Sequence, residues 1–318
     1  MSASEPVLVM PRCPFCGGED HSILARYPEL VWVRCACGGI YKRWQRPGQL
    51  AADFYESAYF GAGSGGRAYT RRGRRRVAKS RHQILDVLNH APRGPLLDIG
   101  CSMGYTLRAA RDLGLDATGT DISRHAVETC RRLGFRALPG RLDTLPFADA
   151  AFGIVTMKHV LEHTPDPRRA LAEVRRVLRP GGGLFVAVPH AGYHRARRDP
   201  QRSKYFLPHA HGGEHHVYYT PATLARLLRD CGFTVARMHP ALLHREAAWP
   251  LWIAQLVLAP VRALAQAVAN TLDLRKEFWV VALHDRARHV VAERSAAQHA
   301  DFTRSTVEIR WPSAPAQE

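Results

Sequence analysis

Nothing at the start of the 318-residue sequence reads as a secretory leader. Met1–Met10 lacks a basic stretch, and its apolar part is confined to Val7–Met10. The chain is therefore expected in a reducing cytoplasm, with its seven cysteines as thiols or metal ligands rather than disulfides. Long apolar runs are missing too. The most hydrophobic segment, Trp249–Leu272, is broken by Pro250, Gln255, Pro260 and Arg262, whereas a membrane span needs about 20 uninterrupted apolar residues. That segment is expected as a helical lid or dimer contact over a substrate cleft, with peripheral contact to a membrane surface as the alternative. No internal repeat is visible. Acidic residues are scarce, 28 Asp and Glu against 45 Lys and Arg, for a formal charge of +17. The densest basic run, Arg67–His82, holds Arg71, Arg72, Arg74, Arg75, Arg76, Lys79 and Arg81. It reads first as a solvated helix face, and second as an attractor for phosphates, acidic lipids or an anionic substrate.

What is present divides into regions. Residues 1–48 hold four of the cysteines and end at Pro47-Gly48. Residues 49–93 form a linker and cap helix, with the aromatics Phe54, Tyr55, Tyr59 and Phe60, a Gly61–Gly66 hinge, and an apolar helix face at Ile84, Leu85 and Leu88. From 94 to 290, strand-length apolar runs alternate with helical patterns. Strands are expected at Pro95–Gly100, Ala117–Asp121, Arg136–Leu138, Phe152–Thr156, Gly183–Val188, Phe233–Met238 and Phe278–Leu283. Helices are expected near Tyr105–Leu113, Ser123–Leu133, Arg168–Leu178 and Thr223–Cys231. This pattern predicts an α/β fold: a Rossmann-like, doubly wound, mostly parallel seven-stranded sheet, with a helical insert over 245–275 before the last strand. Residues 291–318 read as a frayed tail.

Ligands of such sheets bind where strands end and helices begin. There the chain has Asp98-Ile99-Gly100-Cys101-Ser102-Met103-Gly104. Gly100 permits a tight turn, Gly104 a close helix start, and Asp98 can meet a cationic amino group. Asp121 ends the next strand, where a carboxylate can accept ribose hydroxyls. The dinucleotide pattern G-x-G-x-x-G is absent, because Ser102 stands at its middle glycine. An amino-acid-bearing nucleotide suits the two carboxylates better than a pyrophosphate.

The runs LLDIGCSMGYTL, GTDIS and LPFADAAFGIVTMKHVLEHTPDPRRALAEVRRVLRPGGGLFVAVP resemble the consecutive motifs of class I S-adenosylmethionine-dependent methyltransferases. The later EHHVYYTPATLARLLRDCGF resembles a segment common in one bacterial branch. The resemblance implies that Asp98, Gly100, Ser102 and Gly104 line the methionine part of S-adenosylmethionine. It implies that Asp121 and Ile122 hold the ribose and adenine edge, that Leu142 and Asp143 cradle adenine, and that Lys158 and His159 border the transferred methyl. Arg141 stands where an acidic residue often contacts adenine, and Gly153 replaces the usual Asp of the fourth strand.

Cys13-x-x-Cys16 and Cys35-x-Cys37 are each followed by glycine, Gly17 and Gly38. Four thiolates suit tetrahedral zinc, so a small structural zinc knuckle is expected, although the second pair is one residue shorter than usual. Methyl transfer to oxygen also needs a base, and histidines are abundant after the fifth strand: His190, His194, His209, His211, His215 and His216. One of His159, His190 or His215 is the expected base. A second metal on His209, His211, His215 and Glu214 is a lesser alternative. The expected function is methylation of a small molecule or glycan, lipid-linked if the insert touches lipid, with oxygen the favoured acceptor atom. Nucleic acid is not the expected partner, because no RNA-binding module is evident. An RNA methyltransferase is the second reading, and a non-catalytic cofactor-binding partner subunit the third.

Overall fold

In the computed structural model, the described residues are 8–45, 73–190, 199–203, 205–208, 215–240 and 277–285. The 245–275 insert, the 291–318 tail, the aromatics Phe54–Phe60, Arg71, Arg72, His194, His209, His211 and Glu214 lie outside them. Among the described residues no helix is long and apolar enough to cross a membrane.

The N-terminal region is a small antiparallel sheet of β1 (Leu8–Val9), β2 (His21–Arg26), β3 (Leu30–Cys35) and β4 (Ile40–Gln45). It is more than a cysteine knuckle. Its β3 buries Leu30, Trp32 and Val33, and β4 carries Lys42, itself buried with its amine 5.6 Å from the centroid of Trp32. Helix α1 (Gly73–Leu88) then carries the basic run, and its Ile84 and Val87 are fully buried.

The main sheet begins with β5 (Leu96–Ile99), buried at every position as expected for a strand covered on both faces. Helix α2 (Tyr105–Asp112), β6 (Ala117–Asp121), α3 (Arg124–Arg132), β7 (Arg136–Pro139), β8 (Phe152–Lys158), α4 (Pro167–Val177) and β9 (Leu178–Pro189) follow. Capping fixes the helix starts. Ser123 Oγ accepts from Ala126 N at 3.3 Å, and Asp166 accepts from Arg169 N at 3.0 Å with Pro167 in the first turn. After β9 come β10 (Val217–Tyr218), α5 (Pro221–Asp230), β11 (Phe233–Pro240) and β12 (Glu277–His284). The seven-stranded order is β11-β12-β9-β8-β5-β6-β7, with β5 to β9 parallel and β12 antiparallel to both neighbours. The expected sheet is thus present with every expected strand, each within a few residues of its bounds.

One pairing had no sequence signal. β10 lies outside the seven-stranded sheet and pairs with β4, Val217 opposite Tyr41 and Tyr218 opposite Ile40. The N-terminal sheet and the loop after β9 are therefore one hydrogen-bonded body. Trp32 Nε1 donates to the Phe206 carbonyl at 3.1 Å, Arg26 N donates to Gln201 Oε1 at 3.0 Å, and Phe15 meets Tyr219 edge-on at 5.4 Å.

Gly153 has a plain steric reason. A Cβ there would lie 2.9 Å from Gly94 Cα, because the incoming strand passes backbone to backbone, and Gly153 N donates to the Pro95 carbonyl at 2.9 Å. Gly153→Asp is expected to destabilise the chain by at least about 1–3 kcal/mol through overpacking. A lowered urea midpoint at unchanged slope would show it; an unchanged midpoint would refute the steric account.

Candidate active site

The parallel strands bring Gly100, Asp121, His159 and His190 to one edge of the sheet, where strands pass into loops. β12 runs the other way, so its first residue, Glu277, pairs with Pro189 at the same edge. The site is assembled from strand ends.

The loop after β5 turns at Gly100 (φ 72°), Ser102 (φ 48°) and Gly104 (φ 72°). At Gly100 a side chain would collide with Val160 Cγ2 as well as disfavour the left-handed backbone. The loop is held by Asp121. Ser102 N donates to Asp121 Oδ2 at 2.8 Å and Ser123 N to Oδ1 at 3.0 Å. A carboxylate offers about four acceptor positions, so this bracing is compatible with accepting ribose hydroxyls too. Ser102 Oγ is buried and has no hydrogen-bond partner among the described residues. An orphaned buried hydroxyl in a turn of this shape is what a bound polar ligand would satisfy. Ser102 therefore fits the glycine position it replaces, and its hydroxyl can meet a polar ligand there.

Asp98 is buried below this loop and accepts from Thr156 Oγ1 at 2.6 Å. Desolvation raises its pKa, while Lys158, Thr156 and Thr106 pull the other way. Lys158 turns inward instead of bordering an acceptor: its Nζ donates to Thr106 Oγ1 at 2.6 Å and Ser80 Oγ at 2.8 Å, and desolvation lowers its pKa. Ile122 is exposed beside Asp121, and Leu142 is partly buried against the core. Arg141 and Asp143 form a two-point ion pair at 3.0 and 3.1 Å. The departure at Arg141 is thereby neutralised within the loop by the acid two residues on.

The three histidines fall in different surroundings. His159 has a left-handed backbone (φ 55°) at the end of β8, with Nε2 2.7 Å from Glu277 Oε2 and Nδ1 3.3 Å from Glu162 Oε1. Desolvation disfavours its cation, but the two carboxylates prevail and raise its pKa to about 9. Burial would raise Glu277, yet His159 and Lys79, whose Nζ is 2.6 Å away, hold it well below the usual carboxylate range. His190 is buried at the end of β9, bridged to Tyr219 and edge-on to Phe278 at 5.4 Å. His215 is buried with Nδ1 2.9 Å from the Tyr218 hydroxyl. Glu277 and Lys79 were not anticipated, because nothing in the local sequence tells that the last strand starts at this edge. Glu162 and His163 lie within the quoted LEHTPDP run, but the run alone gave them no role.

At the N-terminus Cys13 Sγ lies 3.6 Å from Cys37 Sγ, and Cys16 Sγ 3.6 Å from Cys35 Sγ. All four sulfurs fall within 4.8 Å of one another. With metal–sulfur bonds of about 2.3 Å, a tetrahedral ion separates its sulfurs by about 3.8 Å. Gly18 N and Gly39 N each donate to a cysteine sulfur, Cys16 and Cys37, at 3.4 Å. The shorter second pair closes without distortion because Gly38 (φ 86°) turns the chain immediately after Cys37. The contact between Cys13 and Cys37 lowers the Cys37 thiol and raises that of Cys13, as for two thiols that share one proton.

The profile of the family described as methyltransferase domain matches residues 69–237, more than half of the chain. A ubiquinone biosynthesis O-methyltransferase from Methylococcus capsulatus is 30% identical over 151 residues, 45% of this chain and 64% of the relative. A demethylmenaquinone methyltransferase from Renibacterium salmoninarum is 35% identical over 109 residues, 34% of this chain and 46% of the relative. The match thus spans less than two thirds of the length of these relatives. Among solved structures, a SAM-dependent methyltransferase from Methanosarcina mazei is similar with 19% identity and a TM-score of 0.47, covering 63% of this chain and 97% of that one. Carrying this match across its glycine turn and the strand ends around it, the chain belongs to the methyltransferase-domain family, that of the class I S-adenosylmethionine-dependent methyltransferases.

Proposed function

We propose that the chain transfers a methyl group from S-adenosylmethionine to an oxygen of a small molecule. The observation that carries the reading is the glycine turn braced by Asp121, with the orphaned Ser102 hydroxyl inside it. Asp98 meets the amino group of the cofactor, and the amides at the start of α2 favour its carboxylate. Ile122 and Leu142 offer apolar surface to adenine, and Asp121 accepts from the ribose. S-adenosylmethionine supplies an electrophilic methyl, so the protein's work is alignment and removal of the acceptor proton. The oxygen acceptor is supported by the O-methyltransferase among the relatives. His159, His190 and His215 are the candidate bases, all at or beside the edge where the strands end; His159 can accept a proton only as the pH nears about 9, because its two carboxylates hold it as the cation below that.

Four thiolates at these distances fit a structural zinc ion, with no coordination position left for chemistry. Its effect on catalysis runs through the β4–β10 pairing and the loop that pairing holds.

Titration calorimetry with S-adenosylhomocysteine tests the cofactor assignment. Absence of heat from folded protein would remove the enzymatic reading. Transfer of labelled methyl to a panel of phenolic and glycan hydroxyls then tests the acceptor class. Gln replacement of each candidate histidine is expected to abolish turnover in one variant while cofactor binding stays intact, and full activity in all three would end the idea of a histidine base. Binding to RNA with a steep salt dependence would favour an RNA acceptor instead.

A further inference from the structure

Glu162 is fully buried in the turn after β8, and neither of its carboxylate oxygens completes a hydrogen bond among the described residues. A buried carboxylate is costly unless it is paired and hydrogen-bonded. Among the described residues the His159 cation pairs with it, Nδ1 3.3 Å away, but its other nitrogen is engaged by Glu277 at 2.7 Å. Around the carboxylate gather two more imidazoles. The ligand atoms of Glu162, His163 and His215 all lie within 4.8 Å of one another, and the two imidazole rings are 4.6 Å apart.

The hydrogen bonds sort the tautomer of His215. The Tyr218 hydroxyl donates its single proton to the Tyr205 carbonyl at 2.5 Å, so at 2.9 Å from His215 it can only accept. His215 Nδ1 therefore carries the proton, and its lone pair sits on Nε2. An imidazole whose other nitrogen donates to an oxygen is oriented as metal-bound histidines are. The backbone fixes the same approach, since His216 N donates to the Glu162 carbonyl at 2.8 Å and locks the β10 segment against the turn.

We propose that Glu162, His163 and His215 form a second metal site, distinct from the four-cysteine clip, that takes a divalent first-row transition ion. Two imidazoles and one carboxylate are a donor set suited to zinc, iron or cobalt, and three protein ligands leave positions open for an oxygen ligand. The ring of residues lies at the carboxyl edge, beside the loop held by β10. If the methyltransferase reading stands, the oxygen ligand is the acceptor hydroxyl, which loses its proton more readily when bound to the ion; His215 then serves as a ligand and not as the base, and the proton passes to another group or to solvent. The ligand set differs from one built on His209, His211 and Glu214, and shares only His215 with it.

Cobalt(II) titration of the metal-stripped full chain tests the site. The wild type is expected to take one equivalent with the intense near-ultraviolet band of thiolate ligation and a second with only weak visible bands. Glu162→Gln and His163→Ala are expected to keep the first equivalent and bind the second at least about 10–100-fold more weakly, the loss that removal of even an outer partner causes. The thiolate band reports that the N-terminal sheet remains folded, and the half-buried His163 variant decides the matter if the Glu162 variant does not fold. A wild type that takes up cobalt at thiolates alone, or a second equivalent that persists in both variants, overturns the proposal. Calorimetry with S-adenosylhomocysteine on the same samples reads the cofactor assignment separately, so failure of one is distinguishable from failure of the other.

Discussion

Asp121→Ala is expected to weaken S-adenosylhomocysteine binding by roughly 100- to 10,000-fold while leaving the sheet folded. The carboxylate has two tasks. It accepts from Ser102 N and Ser123 N, which fixes the glycine turn, and it stands where ribose hydroxyls would arrive. Hydrogen bonds to a charged group are worth about 1.5–3 kcal/mol each, so losing the two that ribose hydroxyls would make to it gives about 3–6 kcal/mol. Each 1.4 kcal/mol is about tenfold in affinity. Asp121→Asn keeps one acceptor oxygen and should fall between. The circular dichroism spectrum should not change, because Asp121 closes the end of β6 instead of packing in the core. Binding within about threefold of wild type in the alanine variant would mean that the cofactor lies elsewhere.

Replacing Cys37 with serine should strip the N-terminal sheet of its metal and loosen far more than the clip. Structural zinc contributes about 10–16 kcal/mol of apparent binding energy in small peptides, comparable with the whole stability of a domain. β2, β3 and β4 are short and enclose few buried residues beyond Leu30, Trp32, Val33, Ile40 and Tyr41. Without the ion this sheet is expected to open, and β10 loses its partner on β4. Hydrogen exchange should therefore accelerate at Val217 and Tyr218 as well as in residues 21–45, while β5 to β9 stay protected. Zinc content should fall by about one equivalent. Unchanged zinc and unchanged exchange at Val217 would show that the cysteines are not a metal site and that the sheet stands by itself.

The parallel sheet was legible in the sequence because its central strands are buried on both faces. Runs such as Leu96–Ile99 and Phe152–Lys158 are apolar almost without interruption, and helices with caps and terminal glycines alternate with them. The glycine turn and Asp121 were legible for a related reason: the backbone there permits few residue types. What escaped was non-local. Val217–Tyr218 is too short to announce itself as a strand, and its partner on β4 is remote in sequence. Glu277 and Lys79 acquire a role only when the antiparallel β12 starts at the edge where the parallel strands end. Arg141 and Gly153 look like departures in a linear reading. The first is balanced by Asp143 two residues later, and the second by the close passage of Gly94. The family resemblance implies a place for Lys158 beside the transferred methyl, yet its amine folds back onto Ser80 and Thr106, because α1 and α2 supply hydroxyls where solvent would otherwise be.

The strand that the catalytic region lends to β4 also sets a timetable for biosynthesis. Tyr41 and Ile40 emerge from the ribosome early, but Val217 and Tyr218, the segments that cover their open edge, come much later. At about 5–20 residues per second the wait is roughly 9–35 s. Throughout it the nascent chain exposes an unpaired hydrogen-bonding edge, the kind of surface on which neighbouring polypeptides aggregate. If the four thiols capture zinc early, the ion would hold the first hairpins together through that interval, and zinc supply during translation would then bear on yield.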